Sequence, residues 1–251
     1  MMHRLFARLV LVLALLPALA GFMQVNQLVG FGVVESEQAS SVSFTFQTSS
    51  TATGSSHNGV VSLPSGSAAG DLVIAFVWGG GFGNRNISAP SGWTAISTVS
   101  FDNGNDVEVL WCYKVLTSGD VSAGSVDFAA SAIDYFSAVM LRFEPSAAIA
   151  TITPQGQTAQ NITGNPTAQT QNANASGADT VLVFGGVSRY GAGSVVFNAS
   201  TSPAFDGQVA ASDNRAGYAI YNPGDSKSSH TIDADAIGND TQLTSFYLEI
   251  T

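Results

Sequence analysis

The chain's reactive side chains are few: three histidines, one cysteine and eighteen acidic residues in 251. His3, His57 and His230 cannot assemble a histidine cluster for zinc, so only a metal held by carboxylates and carbonyls fits the composition. The best spacing for one is Asp233-Ala-Asp235-Ala-Ile-Gly238-Asn239-Asp240. Ile237 stands where an oxygen ligand belongs and no Glu follows at the right distance, so a solvated acidic turn is the expectation. Gly79-Gly80-Gly81-Phe82-Gly83 follows an apolar run as a phosphate loop would, but it lacks the Lys-Ser/Thr ending and a helix to follow. Ser55, Ser56 and His57 are adjacent with no acid positioned beside them, and no Gly-x-Ser-x-Gly elbow occurs. Asp102, Asp106, Asp120, Asp127 and Asp134 are the carboxylates that glycoside cleavage would need to bring together at one end of the fold. Cys112, between Trp111 and Tyr113, reads as a small buried hydrophobe. No disulfide framework, metal or cofactor is expected.

Recognition chemistry is better supplied. Trp93, after Pro90-Ser91-Gly92, either plugs the end of a core or stacks on a ligand such as a sugar ring. Because Phe205 follows Pro203-Ala204 in the matching place of a second copy, the plug is the first expectation. Arg189-Tyr190 forms a loop pair of the kind that recognises partners, and Phe82 and Arg85 lie in the loop opposite. The candidate ligand-binding residues are therefore Phe82, Arg85, Trp93, Arg189 and Tyr190, carried by loops 79–88 and 188–194.

These loops must be held by strands. GDLVIAFVW (70–78) returns as GADTVLVFGGV (177–187), about 105 to 110 residues later. Each copy continues through a Gly-rich loop, the Pro-small-aromatic element and an aromatic strand (VEVLWCYKV, GYAIYNP). A Gly-Asp turn follows (Gly119-Asp120, Gly224-Asp225), then an alternating strand, AVMLRFE (138–144) or SFYLEI (245–250). Five landmarks in one order describe one supersecondary unit written twice. Neither copy has a 3.6-residue period, and both have short apolar or alternating runs cut by Gly, Pro, Asn and Asp. The expectation is an all-β, jelly-roll-like β-sandwich of two repeats of about 105 residues. Its bounds are an N-terminal arm and first strand (23–57) and a sandwich over 58–251, with repeats at about 58–153 and 160–251. Both faces of DLVIAFVW are apolar, which places it centrally. VEVLWCYKV sets Val107, Val109, Trp111, Tyr113 and Val115 on a buried face and Glu108, Leu110, Cys112 and Lys114 on a wetter one. Asp102-Asn103-Gly104-Asn105 supplies a hairpin turn before it.

Composition narrows the function. Charged residues make up 10% of the chain, well below the roughly 25% of an average domain. The net charge is −10, which disfavours contact with nucleic-acid phosphates. Residues 1–22 pair Arg4 and Arg8 with an apolar run and Ala18-Leu19-Ala20, the pattern of a secretory leader. The run is too short for a stable membrane span. Met23, opening MQVNQLVGFG, is an alternative start.

The order Gly-Asp-Leu-Val-Ile (70–74), Pro-Ser-Gly-Trp-Thr (90–94), Trp-x-Tyr-Lys-Val (111–115), Ser-Gly-Asp (118–120) and Ala-Val-x-Leu-Arg-Phe (138–143), followed by a degenerate second copy, resembles bacteriophage virion proteins, the β-sandwiches of tails, fibres or capsid surfaces. The resemblance implies a non-enzymatic structural protein, homo-oligomeric and packed among other virion proteins, with end loops that contact host surface polysaccharide. It supplies no catalytic residue. The leader points instead to a secreted bacterial carbohydrate-binding or cell-surface module. A glycan-degrading enzyme would require the aspartates to converge.

Overall fold

The computed structural model describes residues 41–54, 59–81, 86–101, 106–128, 130–131, 135–162, 166–172, 179–189, 195–212, 214–226, 229–236 and 241–251. The leader and residues 23–40 of the arm lie outside these. Nine strands come from the first half: β1 (Phe44–Gly54), β2 (Val60–Ser62), β3 (Leu72–Gly81), β4 (Asn86–Ile87), β5 (Thr94–Phe101), β6 (Asp106–Val115), β7 (Ser125–Asp127), β8 (Ala130–Ser131) and β9 (Tyr135–Pro145). Nine follow in the second: β10 (Ile152–Ile162), β11 (Gln169–Asn172), β12 (Thr180–Arg189), β13 (Val195–Phe197), β14 (Gly207–Ala211), β15 (Asn214–Tyr221), β16 (Ser229–Ile232), β17 (Ala234–Ala236) and β18 (Thr241–Ile250). Among the described residues one short helix, α1 (Ser118–Ala123), lies between β6 and β7.

The fold is an all-β sandwich of antiparallel sheets. The first sheet runs β1-β9-β3-β6-β5 and the second β10-β18-β12-β15-β14. Replacing each strand of the first half by its counterpart in the second turns one order into the other. Small two-stranded ribbons match in the same way, β2·β7 with β11·β16 and β4·β8 with β13·β17. Within each half the chain passes back and forth between the five-stranded sheet and its ribbons, the interleaving of a jelly roll.

Alternation of side chains gives each sheet two buried faces. The inner faces meet in one core, where Leu72, Ile74 and Phe76 of β3, Trp111 of β6 and Leu141 and Phe143 of β9 pack on Leu182 and Phe184 of β12, Tyr218 of β15 and Phe246 and Leu248 of β18. Burying each such side chain is worth about 1.5–3 kcal/mol. Phe76 stacks on Trp111 with centroids 4.4 Å apart, and Phe184 stacks on Phe246 at 5.1 Å. The outer face of the first sheet (Val73, Ala75, Val77, Leu110, Cys112, Met140) is covered by Val61, Ile87, Trp93, Leu116 and Phe128. On the second sheet Val181, Val183 and Ala219 lie under Phe197, Ile232 and Ala234. As its two apolar faces require, β3 is central, hydrogen-bonded to both β6 and β9.

Four local findings revise the sequence reading. The outer face of β6 is not wet: Leu110 and Cys112 are fully buried and Glu108 nearly so, because the ribbons form a layer that alternation in one strand cannot announce. One Glu108 carboxylate oxygen accepts the Ile87 backbone N–H at 2.9 Å, which tethers that layer. Val115, assigned to the buried face, is 36% exposed where β6 ends. The first Gly-Asp turn is the start of α1, since Thr117 and Asp120 form a reciprocal capping box. The second copy keeps the same first step, with Asp225 accepting the Asn222 N–H at 2.7 Å, and remains a turn. Finally, β1 pairs with β9 along its whole length, so the first strand expected within 23–57 is an integral edge of the sheet. The β5–β6 hairpin forms, with its turn outside the described residues.

The edge strands β1, β5 and β10 each carry a register shift, at Phe46/Thr48, Ala95/Ser97 and Gln155/Thr158. These four edges, β14 included, contain no Asp, Glu, Lys or Arg. Bulges, rather than the usual charges, interrupt the first three.

Candidate functional site

Toward one end of the sandwich the inward positions change from apolar to polar. On β3 the series Leu72, Ile74, Phe76 ends at Trp78, and on β9 the series Phe143, Leu141, Val139 ends at Ser137 and Tyr135. Across the interface, β12 ends at Ser188, β15 begins at Asn214, and β18 begins with Gln242 and Thr244. Trp78 pairs with Ser137 in the first sheet, and Ser188 pairs with both Asn214 and Gln242 in the second. Trp78, Ser137, Ser188, Asn214 and Gln242 are each at most 2% exposed. Tyr135, the outermost inward position of β9, is 53% exposed.

Hydrogen bonds stitch the sheets together here. The Ser137 hydroxyl lies 2.7 Å from the Ala211 carbonyl and 2.9 Å from Asn214 Oδ1, and it donates to one at a time. Asn214 Nδ2 donates back to the Ser137 carbonyl at 3.4 Å. Ser188 Oγ donates to Gln242 Oε1 at 3.4 Å. One layer deeper, the Trp111 indole N–H donates to Thr244 Oγ1 at 2.8 Å, and that hydroxyl donates to the Gly186 carbonyl at 3.2 Å. A methyl at Gly186 would stand 2.5 Å from Trp111 Cζ2 and 2.8 Å from the Phe76 ring, so glycine is what lets the indole lie against the second sheet.

Two donors in this layer have no partner, Trp78 Nε1 and Gln242 Nε2. On the outer side of the second sheet at the same end, Arg189 Nε, Arg215 Nε and Thr241 Oγ1 are also buried without a partner. Native proteins pair nearly all buried polar atoms, and exceptions cluster where something else is to be bound or where water enters.

Of the residues singled out by sequence, Arg189 stands at this end, at the last position of β12. Phe82, Arg85 and Tyr190 lie outside the described residues, but strands that bound their loops, β3 and β12, both end here. Trp93 is 9% exposed and sits in the cover of the first sheet, edge-on to Phe128 at 5.8 Å. Its counterpart Phe205 does the same on the second, edge-on to Phe197 at 4.9 Å and stacked on His230 at 5.0 Å. Both are plugs. Trp78, Ser137, Ser188, Asn214 and Gln242 escaped the sequence reading. Their signal was the polar break at the ends of otherwise apolar inward series, in FSAVML and TQLTSF.

The remaining candidates resolve differently. Asp120 caps α1 and pairs with Lys114 at 2.6 Å. Burial pushes its carboxyl up, but the hydrogen bonds from Lys114 and Thr117 outweigh it and hold it at about 2, the wrong direction for a general acid. Asp102, Asp134, Ser55, Ser56 and His57 lie outside the described residues, as does the side chain of Asp106. Asp233 and Asp235 both accept from Asn198 Nδ2, at 3.2 and 3.1 Å, and Ser200 also bonds Asp233. Residues 237–240 are outside the description, and no group of three or more metal-ligating side chains occurs among the described residues. His230 is fully buried, with Nδ1 3.2 Å from the Tyr221 hydroxyl and Nε2 unpartnered. Burial pushes its pKa below the usual imidazole range, against a smaller upward pull from Asp206. No helix among the described residues is long and apolar enough to cross a membrane. No protein-family model matches the chain, and neither a curated protein nor a solved structure does.

Proposed function

We propose that this protein is a non-enzymatic structural component of a bacteriophage virion surface, a capsid decoration or a tail or fibre element, which touches host surface glycans through one end of its sandwich. The observation that carries the reading is the pairing of two five-stranded sheets of the same order, face to face, with cover on both outer faces. Such a body offers little groove on its broad faces and presents loops at its ends, where rigid strands fix their roots while their sequences vary. The two halves are read as two copies of one unit. Four uncharged edge strands suit close association with neighbouring subunits, homo-oligomeric or heterologous, on a particle. Repetition over a symmetric particle converts weak end contacts into avidity.

The secretory-like residues 1–22 favour a second reading, a secreted carbohydrate-binding or cell-surface module. Intact-mass measurement and N-terminal sequencing of the protein from particle and soluble fractions separate the two. Recovery on particles, beginning at Met1 or Met23, supports the virion. Recovery only as a free protein beginning near Gly21 overturns it in favour of the module.

A further inference from the structure

We propose that the polar end of the inter-sheet layer is a binding site for a neutral sugar ring, with Trp78 and Gln242 as hydrogen-bond donors and Tyr135 as the stacking surface at its mouth. The inference rests on the glycan-contact reading above and gives it a site that the loop residues alone did not.

Three features point to this class of ligand. The atoms left unpaired inside the layer, Trp78 Nε1 and Gln242 Nε2, are both donors, so the missing partner must bring acceptors. Hydrogen bonding can be completed here without help, as Ser137 and Asn214 do across the sheets, so two orphans a few residues away are not imposed by the packing. Burying a donor without a partner costs its hydration, and a chain that needed only a stable plug would gain by leucine at 242 joined to alanine at 188, where the serine hydroxyl donates to Gln242 Oε1. The second feature is charge. No Asp, Glu, Lys or Arg occupies the inward positions 78, 135, 137, 188, 214, 242 or 244, so the layer has nothing to neutralise a carboxylate, phosphate or ammonium. The third is Tyr135, two residues beyond Ser137 on the same face of β9 and half-exposed. An aromatic face beside uncharged amide, indole and hydroxyl groups is complementary to a sugar, whose C–H face stacks while its hydroxyls accept and donate. A purely apolar ligand would leave both donors unpaired, and an anion would meet no counter-charge among the inward positions named.

The test uses the whole protein. Neutral and anionic oligosaccharides are screened on an immobilised glycan array, and hits are titrated calorimetrically against the native chain, Gln242→Leu, Trp78→Phe and Tyr135→Ala. The expected result is a neutral oligosaccharide whose affinity falls at least tenfold in each variant, while the unliganded double variant Ser188→Ala/Gln242→Leu, in which no hydroxyl is orphaned, melts at or above the temperature of the native chain. That combination marks a donor kept for a ligand at the expense of stability. The inference is overturned if no neutral glycan binds, if anionic glycans are preferred, if Tyr135→Ala and Gln242→Leu bind like the native chain, or if the Ser188→Ala/Gln242→Leu double variant melts well below it, which would mark the amide as part of a structural water site. Should Gln242→Leu not fold, Tyr135→Ala, changed at an exposed position, decides alone. Binding by a protein absent from particles would overturn the virion reading and leave this site standing, whereas a particle protein that binds no neutral glycan would do the reverse.

Discussion

Replacing Thr244 by valine tests the join between the two sheets. The substitution keeps the side chain's shape and takes away one oxygen, the acceptor 2.8 Å from the Trp111 indole nitrogen. Trp111 is fully buried between Phe76, Phe184 and Phe246, so its N–H would have neither water nor another acceptor. An orphaned buried donor costs about 1–3 kcal/mol. The Gly186 carbonyl also loses the Thr244 hydroxyl, but Gly186 lies inside the strand ladder, so that loss adds little. For a domain of this size a loss of 1 kcal/mol lowers Tm by about 2–4 °C, which puts the expected drop at about 2–12 °C. Trp111→Phe should cost more, about 2–4 kcal/mol, because it also leaves a gap between the sheets. The informative quantity is the coupling: with phenylalanine at 111 no donor remains to be orphaned, and Thr244→Val should then cost close to nothing. Urea unfolding followed by far-ultraviolet circular dichroism on the four proteins measures it. Equal costs of Thr244→Val in both backgrounds would refute the argument, because the bond would then play no part in holding the sheets together.

Three other outcomes are expected. Gly186→Ala should destabilise by about 1–3 kcal/mol or more through overpacking, since its methyl would press on the Trp111 and Phe76 rings, while Gly54→Ala, with open space around it, should leave Tm nearly unchanged; similar shifts for the two would contradict the packing described. Burial raises the Cys112 thiol far above its ordinary range, so a chromogenic disulfide reagent at pH 8 should label it only as urea unfolds the chain, and rapid stoichiometric labelling of the native protein would mean that the cover of the first sheet opens. His230 is held neutral in the fold, chiefly by burial, so below about pH 6.5 the unfolded chain takes up a proton that the folded chain refuses. Stability should therefore be flat above that pH and fall below it, by at most about 1.4 kcal/mol per pH unit. His230→Gln should abolish the slope between pH 6.5 and 5.5 in urea midpoints, and a native protein equally stable at pH 7.5 and 5.5 would sink the reasoning.

The sheets were legible because their strands advertise themselves. DLVIAFVW, apolar on both faces, had to be central, and the matched order of landmarks led to two sheets with matching strand order. The covers were not legible: β2, β4, β7 and β8 are two or three residues long, shorter than any period can register. Their absence from the reading is what made the outer face of β6 look wet. Trp93 was legible as a plug through Phe205, because an aromatic two or three residues after a proline covers the outer face of the sheet in each half. The polar layer was not, for the converse reason. Trp78 corresponds in register to Gly186, and Ser137 to Thr244, so the end of the inter-sheet space is built from residues that differ between halves and that no repeat could flag.

That asymmetry separates scaffold from specialisation. The cover of the first half meets its sheet chiefly through apolar contacts, with Val61, Ile87 and Phe128 on Ala75, Val77 and Met140, beside the single tether from Glu108 to the Ile87 N–H described above. In the second half the corresponding join is partly polar. Thr158 of β10, Gln169 and Gln171 of β11 and Ser245 of β18 bond one another at 2.7–3.1 Å, with His230 on the paired strand beside Gln171. Apolar contact is tolerant of sliding, whereas a closed network of amides and hydroxyls fixes one register and forfeits most of its energy if a single member leaves. The second cover is therefore the more precisely seated and the more easily upset, above all by a proton on His230, which would add a charge that burial disfavours and Asp206 offsets only in part. The inner faces show the reverse balance. Their apolar register is shared by both halves, Phe76 with Phe184 and Leu141 with Leu248, and they diverge most at the end that carries Trp78 and Gln242, with Thr180 in the place of Leu72 at the other. A sandwich that varies one cover and one end while keeping its central contact has its stability in the contact and its freedom to specialise at the periphery.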